Sequence, residues 1–120
     1  MREIKFRAWD KKEKVMDEPF DLYNIGIVNG ENGYDRNYYI LMQYTGLHDK
    51  NGKEGYFDDL VRWGGSVYQV VWNKAEGITQ LIKCSGFEVF ATLPIKEMER
   101  GEIIGDIYSN PELLEVKCKE

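Results

Sequence analysis

Glycine-punctuated alternation constrains this chain more than any other feature. Asn-Gly occurs at Asn29-Gly30, Asn32-Gly33 and Asn51-Gly52, and Gly64-Gly65 follows. Asn and Gly tolerate positive φ, which tight turns between twisted strands demand. Between such turns the apolar residues recur at period two. Val67, Gln69 and Val71 alternate with Tyr68, Val70 and Trp72, and Ile4, Phe6 and Ala8 alternate with Lys5, Arg7 and Trp9. Residues two apart share one face of a strand, so this pattern predicts short strands, each with two different faces. A mainly β fold follows.

The spacing of turns gives an order of elements. The first strand turns at Asp10-Lys11-Lys12-Glu13 and returns through Lys14-Val15-Met16 as a hairpin. Leu22 to Val28 predicts a strand, with Gly26 marking a bulge or a close backbone approach. Tyr38 to Tyr44 predicts another, followed by a hairpin turn over Asp49-Lys50-Asn51-Gly52-Lys53. From Tyr56 the strands come quickly: Leu60 to Trp63, Ser66 to Trp72, Ile78 to Cys84, Phe87 to Thr92, and Ile103 to Tyr108. Pro94 suits a first helical turn and Gly101 the position after a helix end, so 94–100 predicts a short helix. Asn110-Pro111-Glu112 predicts a second helix start, with the Asn side chain as its cap. Five strands with a short helix before the last predict a small SH3-like barrel over 56–108. Hairpins over 1–55 would elaborate it, and a tail helix over 109–120 would close one domain spanning 1–120.

A chain of 120 residues is long enough to bury a real core. Its net charge of −5 argues against generic duplex DNA as a partner, because counterion release needs clustered cations. The locally basic start (Arg2, Lys5, Arg7, Lys11, Lys12, Lys14) is diluted by Glu3, Asp10 and Glu13. Nothing at the start resembles a targeting segment, and no run is long enough to span a membrane. Cys84 and Cys118 lie far apart in no Cys-x-x-Cys pair, so both are expected to be reduced thiols in a cytoplasmic protein, with Cys84 in the core or on a strand face.

The stretch Leu41-Met42-Gln43-Tyr44-Thr45-Gly46-Leu47-His48-Asp49-Lys50-Asn51-Gly52-Lys53-Glu54 is distinctive. Together with Lys5-Phe6-Arg7-Ala8-Trp9-Asp10, Tyr68 to Trp72, Ile103-Ile104-Gly105-Asp106-Ile107-Tyr108 and Asn110-Pro111-Glu112-Leu113-Leu114, it resembles the YopX-like family of phage and prophage proteins. The resemblance covers almost the whole chain in order. It implies a β-rich fold in a bacterial mobile element and brings no catalytic residues with it. Two positions depart from the family pattern. Asp58 stands where a glycine is common, which would strain or remodel a positive-φ turn. Gly55 replaces a larger apolar residue and would open a small gap.

Candidate sites are sparse. His48 lies near Asp49, Asp58 and Asp59 in sequence, but one His with turn carboxylates falls short of a zinc set, and a solvated turn residue is expected. An EF-hand reading from Asp49 fails, since its sixth and twelfth places hold Glu54 and Leu60. Asp58 and Asp59 should point to opposite faces of a strand, which does not suit shared acid–base work. Trp72 is expected in the core, and Trp63, beside Gly64-Gly65, in the core or half-buried, with exposure at a barrel rim as the alternative. No catalytic, cofactor-binding or metal-ligating residue is assigned, and no cofactor is expected. The composition suits a non-enzymatic protein-interaction or assembly module, with a phage or host protein as a possible partner. Homo-oligomerisation is expected because Tyr38 to Met42 and Phe87 to Phe90 are poorly protected as strand edges. The alternative is an atypical single-stranded nucleic-acid binder, which a basic groove lined by Tyr or Trp would favour.

Overall fold

The computed structural model describes residues 4–21, 38–85 and 92–113. Ten strands run through them and form two five-stranded antiparallel sheets. In the first, β1 (Lys5–Asp10) pairs with β2 (Val15–Met16), β3 (Phe20–Asp21) and β4 (Tyr39–His48), and β4 pairs in turn with β5 (Glu54–Tyr56). The second sheet takes β6 (Asp59–Trp63), β7 (Ser66–Asn73), β8 (Ile78–Ser85) and β9 (Thr92–Pro94) in sequence. A 3-10 helix over Ile95–Arg100 then carries the chain back, so that β10 (Glu102–Asp106) pairs with β6. This second sheet curls into a half-barrel, the mainly β small barrel that the turn spacing predicts. Among the described residues no helix is long and apolar enough to cross a membrane.

Local chemistry explains the turns. The Asp10 carboxylate accepts the N–H groups of Lys12 and Glu13, which closes the first hairpin. Gly64 and Gly65 both have positive φ (57° and 88°), as a two-residue hairpin between twisted strands requires. Asn73 closes the β7–β8 turn by accepting from Gly77 N–H through its carbonyl and from Glu76 N–H through its side chain.

Several elements differ from the sequence expectation, each for a physical reason. Tyr39 to Gln43 pairs with β1, and Tyr44 and His48 with β5, so this stretch is an inner strand rather than a bare edge. Pro94 ends β9 in extended conformation and caps the helix instead of entering it. Gly101 has φ −106° and needs no left-handed freedom. Space is what selects it, because a Cβ there would lie 2.7 Å from Val61 Cγ1 and 2.9 Å from the Arg62 carbonyl oxygen. The last strand stops at Asp106, whose carboxylate accepts from Tyr108 and Ser109 N–H and turns the chain out of the ladder. Asn110 does not cap the following turn. Its side-chain oxygen instead accepts the Asp106 N–H, and Leu113 N–H bonds to its carbonyl. The expected strand at Leu22 to Val28, most of that at Phe87 to Thr92, the first two Asn-Gly turns, Cys118 and the tail after Leu113 lie outside the described residues.

Two apolar clusters hold the sheets together. Inside the half-barrel, Val61, Tyr68, Val70, Leu81, Leu93, Met98 and Ile103 pack as one core. A second, smaller cluster of Met42, Tyr44 and Tyr56 lies on the first sheet, flanked by Trp9, Met16 and Tyr108. Phe57 packs against both. Cys84 is buried, as expected of a strand cysteine. The gap expected at Gly55 is filled: Met98 is fully buried with its Sδ and Cε 2.6 Å from where a Gly55 Cβ would stand. An unbranched thioether suits such an irregular space.

Gly101→Ala therefore destabilises the protein by about 1–3 kcal/mol through overpacking, although its φ is open to any residue. The urea midpoint checks this, and an unchanged midpoint shows that Val61 and the β6 backbone yield freely.

Candidate functional site

The most polar part of the interior lies where the two sheets meet. Arg7 of β1 reaches across to Asp59 at the start of β6, with Nη2 2.7 Å from Oδ1 and side-chain exposures of 11% and 2%. The other Asp59 oxygen accepts the Tyr56 N–H at 2.8 Å. Arg7 also donates to the Phe57 carbonyl at 3.3 Å and lies over the Tyr56 ring, 4.8 Å from its centre. A planar guanidinium can serve a carboxylate, a carbonyl and an aromatic face together, which an ammonium cannot. Burial pushes the Asp59 carboxyl up to about 6, against the opposing pull of Arg7 and the Tyr56 N–H, while Asp106 adds to the rise. Desolvation thus outweighs even this close ion pair.

Asp58 stands beside this pair with φ 70°, the left-handed conformation that the family's glycine would adopt easily. Side-chain bonds offset the strain: Tyr108 Oη donates to Oδ2 and Gln69 Nε2 to Oδ1, both at 3.1 Å. Burial, followed by the Asp58 charge, pushes the Tyr108 hydroxyl up to about 12. Asp58 and Asp59 serve different partners, Tyr108 and Arg7. They are not alternating residues of one strand, as the sequence suggested, because the positive-φ turn holds Asp58 and β6 begins only at Asp59.

The β4–β5 hairpin is organised by Asp49, which is buried. One oxygen accepts the Asn51 and Lys53 N–H groups, and the other accepts Ile103 N–H of β10 at 2.8 Å. Burial alone would raise this carboxyl, but the backbone donors hold it below its ordinary value. Next to it, His48 is exposed; its Nε2 lies 3.5 Å from the Tyr44 hydroxyl, and its backbone pairs with Glu54 of β5. On the same sheet Lys5 pairs with Glu54 at 2.6 Å, which holds the Glu54 carboxyl low, and Tyr56 Oη donates to Glu54 at 3.2 Å. Among the described residues no three His, Cys, Asp or Glu side chains gather as a metal set. A cleft of about 280 Å³ beside Glu54 is lined by Arg7, Met16, Asp17, Pro19, Lys53 and Tyr56, with charges of both signs.

The tryptophans separate differently from expectation. Trp63 is half-buried, edge-on to Tyr68, and Trp9 stacks on Tyr108. Trp72 is not core: it is 54% exposed. It shares a face with buried Tyr68 and Val70, so its side was legible from alternation, but it lies near the end of β7, beyond the packed residues. There it lines a cleft of about 430 Å³ with Gln43, Phe57 and Thr79. Sequence reasoning missed Arg7 and Asp59 because their pairing is long-range.

A half-barrel fastened to a smaller sheet by buried ionic and aspartate-to-backbone contacts defines a β-rich domain of distinct layout. The model for the family described as YopX protein matches residues 5–115, and the chain belongs to that family. Among solved structures it is similar to the crystal structure of protein EF1440 from Enterococcus faecalis, with a TM-score of 0.57 and 22% sequence identity. That match covers 95% of this chain and 99% of the other, and shows the fold. No curated protein matches the chain.

Arg7→Met leaves a buried carboxylate unpaired and costs about 3–5 kcal/mol at neutral pH. Adding Asp59→Asn, which keeps an oxygen for the Tyr56 N–H, recovers most of the loss; equal losses in the single and double variants contradict a charge effect. In the wild type, the carboxyl carbon of Asp59 is expected to titrate near pH 6 when followed by NMR. A raised folded-state value means that protonation favours the fold. This contribution is complete below the ordinary carboxyl range and disappears as pH rises through about 6. A midpoint near 4 overturns the assignment.

Proposed function

We propose that this protein is a non-enzymatic assembly module of a phage or prophage, acting in the cytoplasm as a closed homo-oligomer. The outer face of the half-barrel carries this reading. Register places Asn73 opposite Ile78, Val71 opposite Gln80, and Gln69 opposite Ile82, with Pro94 beside Gln80 and Thr92 beside Ile82. Cross-strand partners share a face. None of these side chains is charged, in a chain that is 31% charged. Ile78 and Ile82 remain 44% and 40% exposed.

Two copies each carrying −5 repel one another, and an uncharged face is where they meet at least electrostatic cost. At the edge of the face an exposed pair of opposite sign, Arg62 and Glu102, suits a two-fold contact. A non-enzymatic role is supported by the use of the signature acids: Asp49, Asp59 and Asp106 all accept backbone N–H groups. The phage setting rests on the family resemblance, and the cytoplasmic one on the expectation from sequence that two cysteines in no Cys-x-x-Cys pair are reduced thiols.

Light scattering on a size-exclusion column checks this. The expected result is a multiple of the single-chain mass for the wild type and one chain mass for Ile78→Lys/Ile82→Lys. A wild type that stays at one chain mass up to near-millimolar concentration overturns the reading.

A further inference from the structure

The cleft beside Glu54 belongs to the first sheet, apart from the half-barrel face assigned to self-association. Its walls come from β1, β2 and β5, with the links that follow β2 and precede β5. Arg7 brings an unused donor to it. Nη2 serves Asp59 and the Phe57 carbonyl, whereas Nε–H is buried and has no hydrogen-bond partner among the described residues. A buried donor left without an acceptor is costly, and it marks a place where an oxygen from outside the chain is favoured. Arg7 is one of the cleft walls and its side chain keeps 11% exposure, so an oxygen in the cleft can reach the guanidinium. Lys53, exposed and in no close ion pair among the described residues, adds a second cation. Two acids, Asp17 and Glu54, line the same small space. Each Glu54 oxygen takes one donor, from Lys5 or from Tyr56 Oη, and a carboxylate has about four acceptor sites, so capacity remains. Lys5 also holds this carboxyl low, which keeps it charged at neutral pH.

We propose that this cleft binds a free α-amino acid with an aliphatic side chain, its carboxylate on Arg7 and Lys53 and its ammonium on Asp17 and Glu54. The charges present on the walls choose among occupants. Inorganic phosphate would satisfy Arg7 and Lys53 but would bring its negative charge against Asp17 and Glu54. A polyamine would satisfy the acids and be opposed by the two cations. A peptide carries its ammonium and its carboxylate at opposite ends. The cleft, at about 280 Å³, is smaller than the roughly 300–1,000 Å³ of ordinary ligand sites, so both charges must come from one compact molecule. An α-amino acid holds them on a single carbon. The remaining walls, Met16, Pro19 and the Tyr56 ring, suit an aliphatic side chain, and the unbranched Met16 thioether adapts to its shape. Charge-assisted hydrogen bonds to a carboxylate are the strong kind, which matters for so small a ligand.

The test is an amide correlation NMR titration of the whole chain with L-leucine, and in parallel with L-leucinamide, N-acetyl-L-leucine and inorganic phosphate. L-leucine shifts the Asp17, Lys53 and Glu54 amide signals and saturates in the millimolar range or below. L-leucinamide lacks the carboxylate and N-acetyl-L-leucine the ammonium, and each binds at least about 10-fold more weakly. Lys53→Met, a change at an exposed site, weakens L-leucine about 3-fold and leaves L-leucinamide unchanged. Absence of saturable shifts at the cleft, equal affinity for the three leucine probes, or tighter binding of phosphate overturns the proposal. Self-association is read separately from the mass of the unliganded protein, so either idea can fail alone.

Discussion

The buried ion pair between Arg7 and Asp59 is the constraint on which the rest of the architecture depends. It joins the centre of the first sheet to the first strand of the half-barrel. Burying both charges is costly, and Coulomb attraction alone does not repay it. Several further contacts help: the Tyr56 N–H on Asp59, the Tyr56 ring beneath the guanidinium, and the Phe57 carbonyl. All come from the last residue of β5 and the short link that follows it to β6. That link must follow one path for the pair to be satisfied, and this path places Asp58 in its left-handed turn. A buried pair of this kind contributes more to which arrangement forms than to how stable it is, because any other docking strands a charge.

Asp49 repeats this logic on a smaller scale. Its carboxylate reads the backbone of its own hairpin and of β10, so the hairpin tip and the barrel edge are set together. Lys50 N–H adds a bond to the Gly101 carbonyl. Asp49 lies in the stretch that makes the family recognisable, and its carboxylate here fixes backbone.

The legible part of the fold was the local part. Gly64-Gly65, Asn51-Gly52 and the alternation of β7 depend on neighbours in sequence, and they fold as the residues dictate. The Asp58 turn was legible too, because positive φ follows from the position where family members carry glycine. What escaped was set by distant contacts. Trp72 lies on the face that alternation assigns, but where the core stops depends on what packs opposite. Gly101 looked like a helix terminator and proved to be a close approach to β6. Asn110 looked like a cap and is turned back to Asp106, whose own carboxylate ends the strand. The Trp72 cleft combines residues from three strands and a connecting turn, and no window of sequence contains it.

If the aspartate contacts fasten the two sheets into one cooperative unit, that should be visible in native-state hydrogen exchange of the unmodified protein. The informative amides are Tyr56, which donates to Asp59, and Ile103, which donates to Asp49. Both should exchange with the free energy of global unfolding, equal to that of the core β7 amides. If Tyr56 and Ile103 exchange through a lower-energy opening while β7 stays protected, the sheets part independently, and the pair is not the fastening that this account requires.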